Sequence, residues 1–355
     1  MRDLSFPIFK TKIEGVNQRF GLDDPVERKK YFTLKAGSEI EKVKDYLGDD
    51  TFVAFLLGKK NSGKGTYSKL FAEAVGAEHV KHVSVGDIVR DAHTILEDES
   101  KKADLIQYLK QNYRGFISLD EAVDSLLGRS TSKLLPTELI LALVRKEIDA
   151  AGRKAVFIDG FPRTLDQVSY SLYFRDLMGY RNDPDFFVFI DVPEAVIDER
   201  MKYRVVCPVC HVPRNTKLLK TKNVGYDREK NEFFLICDDP SCNGPRMVAK
   251  EGDNLGIEAI RERIELDDNI MRTLMGLEGV PKIYLRNSVP VGTVPDEVDD
   301  YEITPAYRYE LSGSEVKVIE EPWTVIDENG EKSYSLLPPP VVVSLISQMS
   351  KLLGL

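Results

Sequence analysis

The chain has 355 residues, 42% hydrophobic and 30% charged, a balance that excludes wholesale disorder and leaves room for two or three structural units. Its 49 basic and 58 acidic residues give a net charge of −9, which argues against nucleic acid as the main partner. The longest apolar runs, FVAFLL and FFVFI, are strand-length, far below the ~20 residues of a membrane-spanning helix. MRDLSFPIFK lacks the apolar stretch of a signal peptide, so a soluble, cytoplasmic chain with no membrane partner is expected.

Residues 1–49 read as an N-terminal extension, with a helix in SEIEKVKDYLG that ends at Gly48. From Thr51 the pattern changes to strand (TFVAFLLG), glycine-bearing loop (GKKNSGKGT) and helix (YSKLFAEAVGA). HVKHVSV is a second strand leading into the helix start GDIVRDA. KKADLIQYLKQ, LDEAVDSLL and LPTELILALVRKEIDAAG have helical spacing, while KAVFIDG and FFVFIDV are further apolar strands. Strands separated by helices predict an α/β fold with a mostly parallel sheet covered on both sides. After Met201 the pattern breaks, and residues 205–250, with lysines and short β-like pieces such as EFFLIC, read as a small inserted module. Helix returns in GIEAIRERIELDDNIMRTLMG. Residues 281–320 are rich in Pro, Tyr and Glu with weak strand character, WTVID reads as the last core strand, and PPPVVVSLISQMSKLLGL as a terminal helix.

Gly58, Gly63, Lys64 and Thr66 form GxxxxGKGT between a strand and a helix. Gly65 stands where the strict phosphate-loop pattern has Ser or Thr. Such glycines let several backbone N–H groups converge on one anion at the positive end of a helix. Lys64 would reach the β- and γ-phosphates of a nucleoside triphosphate, with Thr66 close to them or to Mg²⁺. Asp159 ends an apolar strand, where a carboxylate can hold Mg²⁺ or its waters, and the turn Phe161-Pro162-Arg163 projects an arginine from the same edge. The cysteines pair as Cys207/Cys210 and Cys237/Cys242. CPVC, 26 residues and CDDPSC can close a tetrahedral site, which points to structural Zn²⁺ ahead of reduced thiols or a redox pair. His211 could substitute as a ligand, whereas His79, His82 and His93 are expected to serve structure or surface.

With GKKNSGKGT, HVSVGDIVRD, LLPTELILALV, IDGFPRTLDQ and later arginines in this order, residues 51–275 resemble, in pieces, an adenylate kinase of the nucleoside monophosphate kinase family. The resemblance implies a P-loop NTPase-type parallel sheet flanked by helices, with a kinase core over 50–280. It also implies an inserted helical segment for the monophosphate (about 84–136) and a small lid (about 201–252). Residues 281–320 would then be an insertion of unknown role, and 321–355 a strand and helix completing the core. It implies transfer of a phosphoryl group from MgATP to AMP giving two ADP, by a monomer. Kinases for UMP or CMP, or a nucleotide sensor or scaffold, are the alternatives. On the ATP side it implies Gly58, Ser62, Gly63, Lys64, Gly65 and Thr66, with Arg200 and Arg204 at the lid hinge. On the AMP side it implies Ser84, Val85, Gly86, Arg90, Gly160, Arg163 and Gln167, with Gln167 reading adenine. Lys64, Asp159, Arg163 and Arg204 would be catalytic, joined by Arg261 or Arg263, which compete for one role. The four cysteines fall where lidded adenylate kinases carry zinc. The chain departs from the family at Lys60 and Asn61 (usually Pro and Gly), at Val85 (usually Thr), at Lys250 (an expected Arg) and at Asp253-Asn254 (an expected acidic pair). Its segment from Arg90 to Leu135 is also longer.

Overall fold

The computed structural model describes residues 6–128, 135–165, 167, 177, 179–313 and 315–355. Helix α1 (Pro25–Asp49) starts where Asp24 accepts the Val26 and Glu27 N–H groups and proline opens the first turn, so the helix read in SEIEKVKDYLG is its second half. Then come β1 (Val53–Gly58), α2 (Lys64–Val75), β2 (Val80–Ser84), α3 (Val85–Glu97), α4 (Lys102–Asn112), α5 (Leu119–Leu126), α6 (Thr137–Ala151), β3 (Ala155–Asp159), β4 (Asp185–Asp191) and α7 (Glu194–Lys202). Residues 129–134, inside the expected monophosphate segment, lie outside the described residues.

The central sheet has the order β10-β4-β1-β3-β2, with β10 at Lys282–Arg286, and every pairing is parallel. Its inner strands are apolar throughout because both faces are covered. In β1, Ala54 and Leu56 face a core shared with Tyr31, Phe71 and Ile346, while Val53, Phe55 and Leu57 face one shared with Val144, Ile158 and Met271. The strand order switches at β1, with β3 and β2 on one side of it and β4 and β10 on the other, and the crevice lies at the carboxyl ends of β1, β3 and β4.

The last core strand is therefore KIYLR at 282–286 and lies inside the stretch expected to be an insertion. WTVID supplies only β14 (Val325–Ile326), at the edge of a separate antiparallel sheet in which β15 (Lys332–Ser335) lies between β11 (Ser288–Pro290) and β14. The physical reason is position: β10 is an edge strand, buried only at alternate residues, so it lacks the continuous apolar run of its neighbours.

Helices α3–α6 enclose a satellite core around Leu105, Leu109, Leu126 and Leu143. Residues 204–249 fold as two small antiparallel sheets, β5 (Arg204–Val206) between β6 (Pro213–Asn215) and β9 (Val248–Ala249), and β7 (Asn223–Asp227) on β8 (Glu232–Ile236). Helix α8 (Arg261–Met275) returns to the sheet. Beyond β10 come β11 (Ser288–Pro290), a single helical turn α9 (Val294–Glu297) and the hairpin β12 (Ala306–Ser312)–β13 (Glu315–Glu321). After β14 and β15 (Lys332–Ser335), α10 (Pro338–Leu353) packs on α1 and α2. The hairpin leans on the cysteine module: Tyr307 N–H donates to Lys217 O (2.7 Å), the Tyr309 hydroxyl to Thr216 O (2.6 Å), and the Tyr309 ring lies 5.8 Å from Phe233. Among the described residues, no helix is long and apolar enough to cross a membrane.

Candidate active site

Gly58 ends β1, and a Cβ there would meet the Ser62 hydroxyl at 2.7 Å and the Ile190 carbonyl at 3.1 Å, so the loop closes only over glycine. The amino end of α2 has no side-chain cap. Its first N–H groups and positive dipole end are left for an anion. Ser62 is fully buried under the loop, and Gly65 and Thr66 lie in the first turn of α2. Lys64 Nζ is 2.9 Å from Gly58 O, 3.1 Å from Lys59 O and 3.8 Å from Asp159, which ends β3. The two atypical loop residues are both tied down. Lys60 N–H donates to Asp267 (2.9 Å), and Asn61, with φ of 66°, accepts from Arg204 (3.3 Å).

Lys59 was not singled out by sequence reasoning, yet its side chain is buried, 1% exposed. Its ammonium meets Glu328 (3.1 Å), Glu194 (3.3 Å) and Asp268 (3.7 Å), from three separate parts of the chain. Burial opposes its charge, but Glu328, Asp268 and Glu194 outweigh burial and hold its pKa above the ordinary lysine value. Glu328 also accepts the Glu194 N–H (2.6 Å), so the cluster ties the phosphate loop to α7, α8 and the β14–β15 turn. Removing the cation would leave three part-buried carboxylates facing one another. Lys59→Met is therefore expected to cost roughly 3 kcal/mol of stability, read from denaturant unfolding. A variant as stable as the parent would show that the cluster is solvated.

On the acceptor side, Gly160 has φ of +89°, and a Cβ there would meet the Arg163 guanidinium at 2.8 Å, so glycine lets the arginine fold back over the turn. The Phe161–Pro162 bond is cis. Arg163 Nε donates to Gly160 O (2.7 Å). Burial lowers its pKa below the ordinary arginine value, neighbouring Arg263 adds to this, and Asp159 and Asp267 oppose it. Gly86 brings the Arg163 and Arg90 guanidinium groups to one place, 3.2 and 3.6 Å from where its Cβ would be. Arg90 is exposed and paired with Asp87 one turn away. Ser84 caps α3, its hydroxyl accepting the Asp87 N–H (3.4 Å). Val85 is buried in the core, so it does not line the crevice. Gln167 is buried, accepting from Arg163 N–H (2.6 Å) and donating to Thr137 (3.2 Å). These bonds use one acceptor site and one N–H of its amide, leaving one of each.

Arg263 and Arg261 part company. Arg263 donates to Arg163 O (3.2 Å) and pairs with Asp267 (2.8 Å), whereas Arg261 pairs with Glu194 (2.9 Å) and Glu258. The arginine beside Arg163 is thus Arg263. Asp267, also missed in the sequence, holds Arg263 and the Lys60 N–H together; its one local signal is its position four residues after Arg263 on α8. Arg204 makes a forked pair with Asp253 (2.8 Å for the Nη2 contact), and Arg200 donates to Asn287 (3.2 Å). His82 bonds Ser68 of α2 (2.8 Å), a structural contact.

The four cysteine sulfurs all lie within 4.8 Å of one another, with Cys210 and Cys237 3.8 Å apart. Four thiolates about 2.3 Å from a tetrahedral ion would be spaced by about 3.8 Å, so the residues fit a metal. Val209 and Cys210 N–H groups approach Cys207 Sγ (3.4 and 3.5 Å). His211 is not part of the cluster.

A family model described as an AAA domain matches residues 57–205, from the phosphate loop to the start of the cysteine module. The chain is 29% identical over 215 residues to an adenylate kinase of Kosmotoga olearia, covering 60% of this chain and 80% of the relative. It is 27% identical over 220 residues to a mitochondrial GTP:AMP phosphotransferase of Drosophila melanogaster (62% and 80%). It is 28% identical over 206 residues to a probable UMP-CMP kinase of Arabidopsis thaliana (56% and 68%). With its parallel sheet, phosphate loop and the cationic crevice beside it, the chain is a P-loop enzyme homologous to the nucleoside monophosphate kinases.

Proposed function

We propose that the protein transfers a phosphoryl group reversibly from MgATP to AMP, giving two ADP. The observation that carries this reading is the gathering of Lys64, Arg163 and Arg263 around Asp159 and Asp267 at the carboxyl edge of the sheet. The transition state spreads charge over the equatorial oxygens of the transferred group, so fixed cations stabilise it, and a monophosphate needs no general base to attack. Lys64 and the uncapped α2 terminus would hold the donor phosphates, Arg90 and Arg163 the monophosphate, and Arg263 the group in flight. Asp159 would hold Mg²⁺ through its waters, and the metal would neutralise phosphate charge. Residues 201–252 would act as a lid that keeps water out, with Zn²⁺ on Cys207, Cys210, Cys237 and Cys242 folding it and taking no part in the chemistry. A cytoplasmic monomer fits this reading.

A coupled assay with MgATP and a panel of AMP, UMP, CMP and GMP tests it. AMP is expected to lead the others by at least about tenfold in kcat/KM. Leadership by UMP or CMP, which the Arabidopsis relative's name makes the second reading, would overturn the acceptor assignment. Absence of turnover with every acceptor would overturn the kinase.

A further inference from the structure

The carbonyl of Lys59 and the N–H of Lys60 are the two ends of one planar peptide group in the phosphate loop. The carbonyl accepts the Ser62 N–H (3.1 Å), which closes the turn of the loop, and the Lys64 ammonium (3.1 Å). The N–H donates to Asp267 (2.9 Å). A rotation of this peptide would break these bonds and leave Lys64 with the Gly58 carbonyl (2.9 Å) as its remaining backbone partner.

The side chain of Lys59 anchors the same peptide from its other end. Its ammonium meets Glu194 at the start of α7, Asp268 on α8 and Glu328 in the β14–β15 turn. Neighbouring carboxylates of α8 thus take neighbouring loop residues, Asp267 the Lys60 N–H and Asp268 the Lys59 ammonium. Glu328 also accepts the Glu194 N–H (2.6 Å), so the anchor is itself tied down. The ammonium is matched by these carboxylates and is not a further ligand for phosphate. A glycine-bearing loop loses conformational freedom when it closes on an anion, and an anchor formed on folding removes part of that cost from the binding step.

We propose that Lys59 is a positioning residue: its side chain, gripped by Glu194, Asp268 and Glu328, fixes the 59–60 peptide so that the carbonyl holds Lys64 ready for the donor phosphates. The proposal rests on the donor site proposed above. It adds that the segment after β10 takes part in donor binding without touching the donor, since Glu328 reaches the loop through Lys59.

Lys59→Met keeps an unbranched side chain and removes the ammonium. Its affinity for MgATP and for magnesium tripolyphosphate, read by calorimetry, is expected to fall about tenfold, because Lys64 meets phosphates with or without a base. KM for AMP should change by less than about twofold, a split between donor and acceptor that a general loss of stability would not produce. Glu328→Gln keeps an acceptor for the Glu194 N–H, should lose about threefold on the donor side alone, and carries the test if the first variant does not fold. Val43→Ala opens a cavity in the buried face of α1 and removes none of these groups, so it should lower stability and leave tripolyphosphate affinity unchanged. Tripolyphosphate affinity unaltered in the cluster variants, or lowered as far by Val43→Ala, would overturn the anchor. Equal losses for MgATP and AMP would do the same. Donor-side losses in a protein that turns over no acceptor would uphold the anchor and overturn the kinase.

Discussion

Arg163→Ala is expected to lower kcat/KM for AMP by about 10²–10³-fold, ~3–4 kcal/mol of transition-state stabilisation. Arg163 is half-buried, shares its place with Arg263 and Arg90, and has only the weaker offset of Asp159 and Asp267, so its charge is set for an anion between them. The substitution removes one bond to the Gly160 carbonyl and little packing, so circular dichroism and the melting temperature should barely move. The comparison that gives the result its meaning is Arg261→Ala. That guanidinium is committed to Glu194 and Glu258, and its loss should cost under threefold. Equal losses at 163 and 261 would mean that the cationic crevice is not where transfer occurs. Near-normal activity of Arg163→Ala would remove it from the mechanism.

The second large effect concerns the cysteines. Cys207→Ser should strip the metal and leave residues 205–250 open to proteolysis, while the parallel sheet and its helices persist. The core around the cysteines is small: beyond them its buried apolar residues are Leu235 and Met247, and Leu218 packs into the main core instead. Metal binding by a thiolate set supplies on the order of 10 kcal/mol of folding free energy in small zinc modules, far more than two such side chains contribute. Elemental analysis should find one zinc per chain in the parent and none in the variant. Parent protein purified without metal yet resistant to protease over 205–250 would show that the thiols hold the module unaided.

The parallel sheet and the phosphate loop were legible because both are local signals: an apolar run, a glycine spacing, a helix period. The edge strand 282–286 was not, since only its alternate residues are fully buried and charged residues stand at both ends, and WTVID, richer in β-formers, drew the assignment instead. The Lys59 cluster was invisible for another reason. Glu194, Asp268 and Glu328 have no mutual spacing in the chain, and only the fold brings them to one ammonium. Helix geometry separates Arg261 from Arg263, because residues two apart face opposite sides. Asp267 was equally out of reach, because its partner Lys60 lies at the other end of the core.

The hairpin at 306–321 has a consequence for how the cysteine module moves. Joined to the core only by its two chain crossings, such a module would sample a wide solid angle, and a ligand closing it would have to remove that freedom. The Tyr307 and Tyr309 contacts add to the bonds that Asn215 and Lys217 make to α7, so part of this rotational entropy is given up on folding, before any nucleotide arrives. Were the module to act as the proposed lid, its closure would start from a narrower ensemble, with a smaller entropic penalty on binding.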